Sequence, residues 1–584
     1  MVVESPGMLS IVYYASVLKM HQEVLEGYRP GVSIVPIIIS TDPTQVTQFG
    51  NKTACPAYMT IGNLPKNIRR KSSRCGQILL AYLPATKLKL VANKAARRRM
   101  LLNLFHSCLH YILQPLVDAG IHGIPMMDGL GTVRRVHPVL AVYIGDYPEQ
   151  VRVTGIKTGE CPKCDIPSKE LGNEQFSSKA RDIHSVLDAL CKFGAGDYRE
   201  FLDACKGVGI KPIAKPFWLQ LPFVDIFQSI TPDVLHQLLQ GVLKHLISWL
   251  LQAYGSEEID VRFQRLIPNH HIRIFMGGIS GLSHVTGKEH GQVARAILGV
   301  IADLNLPGRQ DTGRLLRAVR ALLDFKYLAA LMVISTHHLT LMKEALNIFH
   351  ANKQIFVDLG IRKDFKILKL HSCLHYVDSI RRFGTTDNYD TQYTECLHIE
   401  LAKDAYRASN KRDELPQMTT WVERGEQVQD YARYISWRGD NPTPTSSPSP
   451  LLPPHRYIKM TKFPTIQSVS ITDVISNYGA QFFYGAFARF VVLWRNGPMT
   501  RAHLEQQILD VHIPFINISV YHHIWYKDRN TDLSSVDSIH IQPHRKNKKG
   551  QMLQGRFDTG LVRSGEVNST GIQGTLVHQL RMEL

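Results

Sequence analysis

The chain has 584 residues, with 68 Lys and Arg against 50 Asp and Glu, a formal net charge of +18 and a pI near 9.4. Apolar residues make up 44% and charged residues 20%, a globular composition that excludes a chain disordered throughout. Nine cysteines are too sparse for a disulfide scaffold, and the charge excess favours a polyanionic partner, nucleic acid above all.

In chain order, residues 1–30 read as a helical lead-in without a basic n-region or a small-residue cleavage site. The odd cysteine count and the lack of a secretory leader point to a reducing compartment. IVPIIIS (34–40) is β-branched and predicts a buried strand that stops at Thr41-Asp42-Pro43. AYMTIGNL (57–64) and ILLAYLP (78–84) predict two more strands, separated by a basic loop carrying Lys66, Arg69, Arg70, Lys71 and Arg74. Residues 93–118 have apolar positions at helical spacing, with Lys94, Arg97, Arg98 and Arg99 in the first turns and Gly120 at the end. Val139 to Ile144 predicts a further buried strand, which also runs into an aspartate, Asp146.

Residues 151–390 are mostly helical in pattern, as in 238–254, 292–304 and 314–334. A helix is expected over about 394–407, within a segment 391–440 that completes the core. Residues 441–456 form a Pro/Ser-rich linker. The remainder, 457–584, reads as a small, partly β accessory region with a second basic cluster at 544–549. No stretch reaches the roughly 18 apolar residues of a membrane span, so none is expected.

Two features carry chemistry. Asp42 and Asp146 each end a buried-type strand, and strand C-termini are where open α/β sheets build sites. Carboxylates on neighbouring strands suit hard divalent cations, although an aspartate there is also a common turn former. The second feature is Cys161-Pro162-Lys163-Cys164, which has the spacing of half a zinc site. Asp233 and His236 share one helical face at i, i+3 and are the candidate other half. A redox dithiol or an idle pair also fits. His270-His271, His337-His338, His371 and His375 read as core histidines.

Four ordered blocks then carry a resemblance: 36–71 (PIIISTDPTQVTQFGNKTACPAYMTIGNLPKNIRRK), 137–164 (HPVLAVYIGDYPEQVRVTGIKTGECPKC), 231–249 (TPDVLHQLLQGVLKHLISW) and 392–418 (QYTECLHIELAKDAYRASNKRDELPQM). Together they resemble the Plavaka-type transposases, fungal relatives of the CACTA group of cut-and-paste DNA transposons. The resemblance implies an RNase H-like mixed sheet interrupted by a large helical insertion. It also implies an Asp-Asp-Glu triad, here Asp42, Asp146 and Glu395. These three would hold Mg²⁺ or Mn²⁺ for phosphodiester cleavage and strand transfer at transposon ends. Cys161, Cys164, Asp233 and His236 fall in the insertion, where a structural Zn²⁺ is the further expectation. Asp233 and Asp128 remain contenders for the second acid.

The implied partner is double-stranded DNA, both transposon ends and target, in the nucleus, with a homo-oligomer acting on paired ends and no membrane. Lys66, Arg69, Arg70, Lys71, Arg74, Arg97, Arg98 and Arg99 are the candidate phosphate contacts. Pro43 follows Asp42 where the family more usually has lysine, and Cys396 follows Glu395 where a basic residue is more usual. Only about forty residues precede Asp42, fewer than the family usually carries, and this suggests a truncated copy. A catalytically decayed DNA-binding remnant and a zinc-stabilised interaction module are therefore the alternative expectations.

Overall fold

A computed structural model of the chain describes residues 31–440 apart from 48–51, 72–73, 128–130, 174–176, 195–196, 268–271 and 310. Before residue 31 it describes residues 8–9, 23 and 26–27, and beyond 456 it describes parts of 457–579. Most of the 1–30 lead-in, the 441–456 linker and Asp128 lie outside the described residues. The chain divides into two compact units, Met1–Asn441 and Pro442–Leu584.

The first unit is built on a mixed six-stranded sheet. Its strands are β1 (Val32–Thr41), β2 (Thr44–Gln45), β3 (Thr53–Ile61), β4 (Ile78–Leu83), β5 (Ile124–Met127) and β6 (Val133–Ile144). The path across it is β2, β3, β1, β6, β5, with β4 also paired to β3. β1, β3 and β4 form an antiparallel meander, and β6 lies parallel to β1, with Ile39 opposite Tyr143 and Ser40 opposite Ile144. The parallel pair is central, so both faces are covered and both strands are nearly continuous apolar runs. Because β1 and β6 point the same way, their C-terminal ends, and the aspartates beyond them, emerge at one edge.

The helix α1 (Lys94–His122) makes the long crossover between the meander and the last two strands. Asn93 caps it, accepting from the amides of Ala95 and Ala96 at 2.9 and 3.0 Å. The helix runs past Gly120, the stop expected from sequence, and ends at Gly123, whose φ of 68° suits glycine alone. Gly120 instead marks a close approach, since a Cβ there would meet Pro222 at 2.4 Å and the Pro138 carbonyl at 3.0 Å. By length and composition α1 could cross a membrane, yet its stripe of Phe105, Leu109 and Leu113 is buried in the core shared with the sheet.

After β6 comes α2 (Tyr147–Thr154). A second core follows, formed by helices between Val234 and Ile380, in the region where the sequence has helical periodicity. It includes α3 (Val234–Leu243), which is wound as a π-helix. The chain returns to the sheet through α4 (Thr391–His398), a second π segment at Ile399–Asp404, and the long α5 (Glu414–Asp440). Phe383 and Tyr389 pack with Ile38, Ala141, Val142 and Ile144, which fixes the approach of α4 to the ends of β1 and β6. The second unit contains a four-stranded antiparallel sheet and a small core around Val474, Tyr478, Ala480 and Val520. Of the basic cluster 544–549, Arg545 and Lys546 are described, as a short strand.

Candidate metal centres

Of the three acids expected to converge, Asp42 and Glu395 meet, and Asp146 lies near them. Asp42 lies just beyond β1, Asp146 caps the N-terminus of α2 just beyond β6, and Glu395 projects from α4. The ligand atoms of Asp42, Glu395 and His398 all lie within 4.8 Å of one another. Asp146 stands close enough for its charge to act on Asp42, but it is not in that innermost group. One of its oxygens accepts the Glu149 amide at 2.9 Å, so it is both a helix cap and a neighbour of the acidic cluster.

The electrostatics follow from crowding. Burial, then the negative charges of Glu395 and Asp146, push the Asp42 carboxyl up to about 8, against a partial pull from His236. Glu395 is held below the usual carboxylate range, first by the neighbouring His398 and also by His236 and a hydrogen bond from Asp42. Burial also raises Asp146. The pair Asp42 and Glu395 thus keeps one proton between them near neutral pH, as like charges at short range do.

Beneath the site lies an acid that the sequence reading missed, Glu149. It is 3% exposed, takes a hydrogen bond from Thr41 and stands 3.6 Å from the Arg152 guanidinium. Thr41 also meets the Tyr143 hydroxyl at 2.7 Å, so this buried network ties the end of β1 to β6 and α2. Gln150, next in sequence, donates to Gly145 O at 2.9 Å and Thr231 O at 3.0 Å. That amide links the turn carrying Asp146 to the turn carrying Asp233.

Asp233 is fully engaged. One oxygen accepts from the Leu235 amide at 3.0 Å and the Thr391 hydroxyl at 2.6 Å. The other accepts from the His236 amide at 2.9 Å and lies 2.6 Å from His236 Nδ1. With both oxygens occupied, Asp233 is a poor candidate for the second metal-binding acid; it caps α3 and orients His236. His236 Nε2 then stands 3.6 Å from Glu395. Burial pulls the His236 imidazole down, but the Asp233 hydrogen bond and the charges of Asp233, Asp146 and Glu395 outweigh it and raise it to about 9.

The cysteine pair has different partners from those expected. Cys164 Sγ lies 3.2 Å from His371 Nε2, Cys161 Sγ lies 3.2 Å from His375 Nε2, and the two Nε2 atoms are 3.3 Å apart. All four ligand atoms lie within 4.8 Å of one another. Asp233 and His236 are not in this group, because Asp233 holds His236 and His236 faces Glu395; the expected cysteine, aspartate and histidine set is corrected accordingly. His371 and His375, read from sequence as core residues, supply the other half. Tetrahedral zinc with bonds of about 2.0–2.3 Å would separate its ligands by roughly 3.3–3.8 Å, so the spacing here fits. Cys164 is held well below the usual thiol range, first by the hydrogen bond from Cys161 and then by His371 and His375. The Lys163 amide lies 3.4 Å from Cys161 Sγ, while Lys163 Nζ reaches Ile230 O at 2.8 Å. The knuckle is therefore fastened to the segment leading into Asp233.

The basic loop also differs from expectation. Arg69 is 2% exposed and donates to the Asn388 side chain at 2.8 Å. It is a buried brace and is not available to DNA. Lys66 and Arg70 pair with Asp387 at 3.1 and 3.3 Å. Together these three clamp the turn that leads into α4. Lys71, Arg74, Lys94, Arg98 and Arg99 are exposed, and Arg97 is half-buried.

Fold and geometry together define a mixed α/β protein with two groups of side chains suited to metal ions. Residues 14–250 match the family model of the Plavaka transposase, which supports a Plavaka-type transposase. The matched span holds the whole sheet, Asp42, Asp146, both knuckle cysteines, Asp233 and His236, and it ends before Glu395. No curated protein matches the chain.

The raised groups carry a pH dependence. Asp42 moves from 3.8 to about 8 and His236 from 6.5 to about 9 on folding. From about 6.5 to about 8 the folded chain therefore binds more protons at these groups than the unfolded chain, and stability falls as pH rises. Without divalent cations the thermal midpoint should drop over that window, and Asp42→Asn should flatten the drop. A midpoint that rises with pH, or an unchanged slope in the variant, contradicts the assignment.

Proposed function

We propose that the chain is a DNA transposase whose Asp42, Asp146 and Glu395 bind divalent cations for phosphodiester cleavage and strand transfer at transposon ends. The observation that carries this is the convergence of Asp42 and Glu395, 353 positions apart in sequence, beside Asp146 at the shared edge of two parallel strands. The sheet order, an antiparallel meander followed by a parallel strand, supports reading the first unit as an RNase H-like core. The helices between α2 and α4 are then an insertion that returns the third acid to that core.

Magnesium or manganese bound there would activate the attacking oxygen and stabilise the leaving one. Asp42 must lose its proton to bind a cation, and the positive charges of His236 and the incoming ion favour that loss. His236, steadied by Asp233, sits beside Glu395 where it is suited to hold a phosphate oxygen or a proton. Lys71, Arg74, Arg98 and Arg99 are free to neutralise DNA phosphates, which gives affinity without sequence information. Such a protein acts in the nucleus on double-stranded DNA, as a multimer on paired ends.

Supercoiled plasmid incubated with the chain and Mn²⁺ or Mg²⁺ should be nicked. Asp42→Asn, Asp146→Asn and Glu395→Gln should each lower the rate by more than the roughly 10–100-fold typical of losing an outer partner. Cleavage that persists without divalent cations, or in all three variants, would falsify the proposal. A decayed remnant is the second reading, favoured by Pro43 and Cys396 beside two of the acids. It predicts salt-sensitive DNA binding with no nicking at all.

We further propose that Cys161, Cys164, His371 and His375 hold one structural Zn²⁺. Elemental analysis should find about one zinc per chain, lost in Cys164→Ser and in His371→Ala but kept in His236→Ala. Zinc retained in the first two variants would contradict this.

A further inference from the structure

Resting on the acidic site proposed above, we infer that His398 is a direct ligand of the cation between Asp42 and Glu395, and that this position prefers manganese to magnesium. The first observation is geometric. His398 closes the group of three whose ligand atoms lie within 4.8 Å of one another, a place that Asp146 does not take. The second is independent of it. The His398 side chain is 1% exposed, and neither ring nitrogen has a hydrogen-bond partner. Glu395 stands 3.7 Å from Nδ1, close enough for the ring to act on its charge but longer than a hydrogen bond.

Other buried imidazoles keep a partner on at least one ring nitrogen, although His137 Nε2 and His371 Nδ1 have none. His106 Nε2 meets Arg152 O at 3.0 Å and its Nδ1 accepts from the Phe217 amide at 3.4 Å; His137 Nδ1 meets Gly120 O at 3.0 Å. An unpaired buried polar group is costly, so a ring with two such atoms beside an acidic pair calls for a missing partner. A cation supplies one. His236, held at Nδ1 by Asp233, is not in that group of three.

Local structure puts the ring in place. Glu395 and His398 are at i, i+3 on α4, so both face the end of β1. His398 is the last residue before the π segment Ile399–Asp404, and wide turns of this kind are frequent at functional sites. The Tyr58 ring, 5.8 Å away on β3, backs the imidazole. The resulting donor set is two carboxylates and one nitrogen. Magnesium favours oxygen ligands throughout, whereas later first-row ions gain from imidazole, and manganese accepts both.

The test uses the whole 584-residue chain, zinc-loaded, titrated with Mn²⁺ and read by pulsed electron paramagnetic resonance. The unsubstituted chain should bind Mn²⁺ with a nitrogen hyperfine coupling, which changes to the ¹⁵N pattern when histidine is ¹⁵N-labelled. His398→Gln should remove the coupling and weaken Mn²⁺ binding by about tenfold or more, with a smaller loss for Mg²⁺, whereas His236→Gln should keep the coupling. A coupling that survives His398→Gln, or Mn²⁺ and Mg²⁺ affinities that fall equally, overturns the inference. The labelled, unsubstituted chain gives an answer even where His398→Gln folds poorly. Mn²⁺ binding that needs Asp42 but carries no nitrogen coupling overturns His398 alone. Absence of any Asp42-dependent binding overturns the acidic-site reading as well.

Discussion

Everything in the first unit turns on holding like charges together. Asp42 and Glu395 are brought close in a half-buried setting, with Asp146 beside them and Glu149 buried below. Left alone, such a cluster repels itself, and Asp42 responds by keeping its proton to about 8. Positive partners offset part of the cost: His236 above the acids, Arg152 beside Glu149. A divalent cation would offset the rest, and this makes the cluster intelligible as a binding site and not as a folding accident.

Scaffolding around the acids is consistent with that demand. The parallel pairing of β1 and β6 aligns the first two acids without any long-range tether. Glu395 has no such help, since it arrives after two hundred and more residues of helices. Three separate fastenings bring it in: the Arg69 to Asn388 bond, the Lys66 and Arg70 pairs with Asp387, and the Thr391 bond to Asp233. The cysteine and histidine group adds a fourth. It joins the loop after α2 to the helices that precede α4, and Lys163 extends the link to the Asp233 turn.

Much of the sheet was legible because its strands are buried on both faces and so read as continuous apolar runs ending at Asp42 and Asp146. Glu395 was not legible from pattern, since a lone glutamate on a helix looks like a solvated one; only the resemblance singled it out. His371 and His375 were noticed and set aside, although an i, i+4 pair on one helical face is a common way to complete a Cys-x-x-Cys site. Asp233 and His236 drew the assignment instead, and their mutual hydrogen bond explains why the spacing looked deliberate. His398 carried the same signal, three residues after Glu395, and was overlooked. Arg69 misled for the opposite reason: a basic run looks solvated, and nothing in its spacing tells that one member turns inward to brace Asn388.

The central claim is that folding gathers these acids around one cation position. Crystals soaked in Mn²⁺ and measured at the manganese absorption edge test it most directly. The account predicts an anomalous peak between the carboxylates of Asp42 and Glu395. Ordered crystals that take up manganese elsewhere, with those two carboxylates left without a metal, would contradict it.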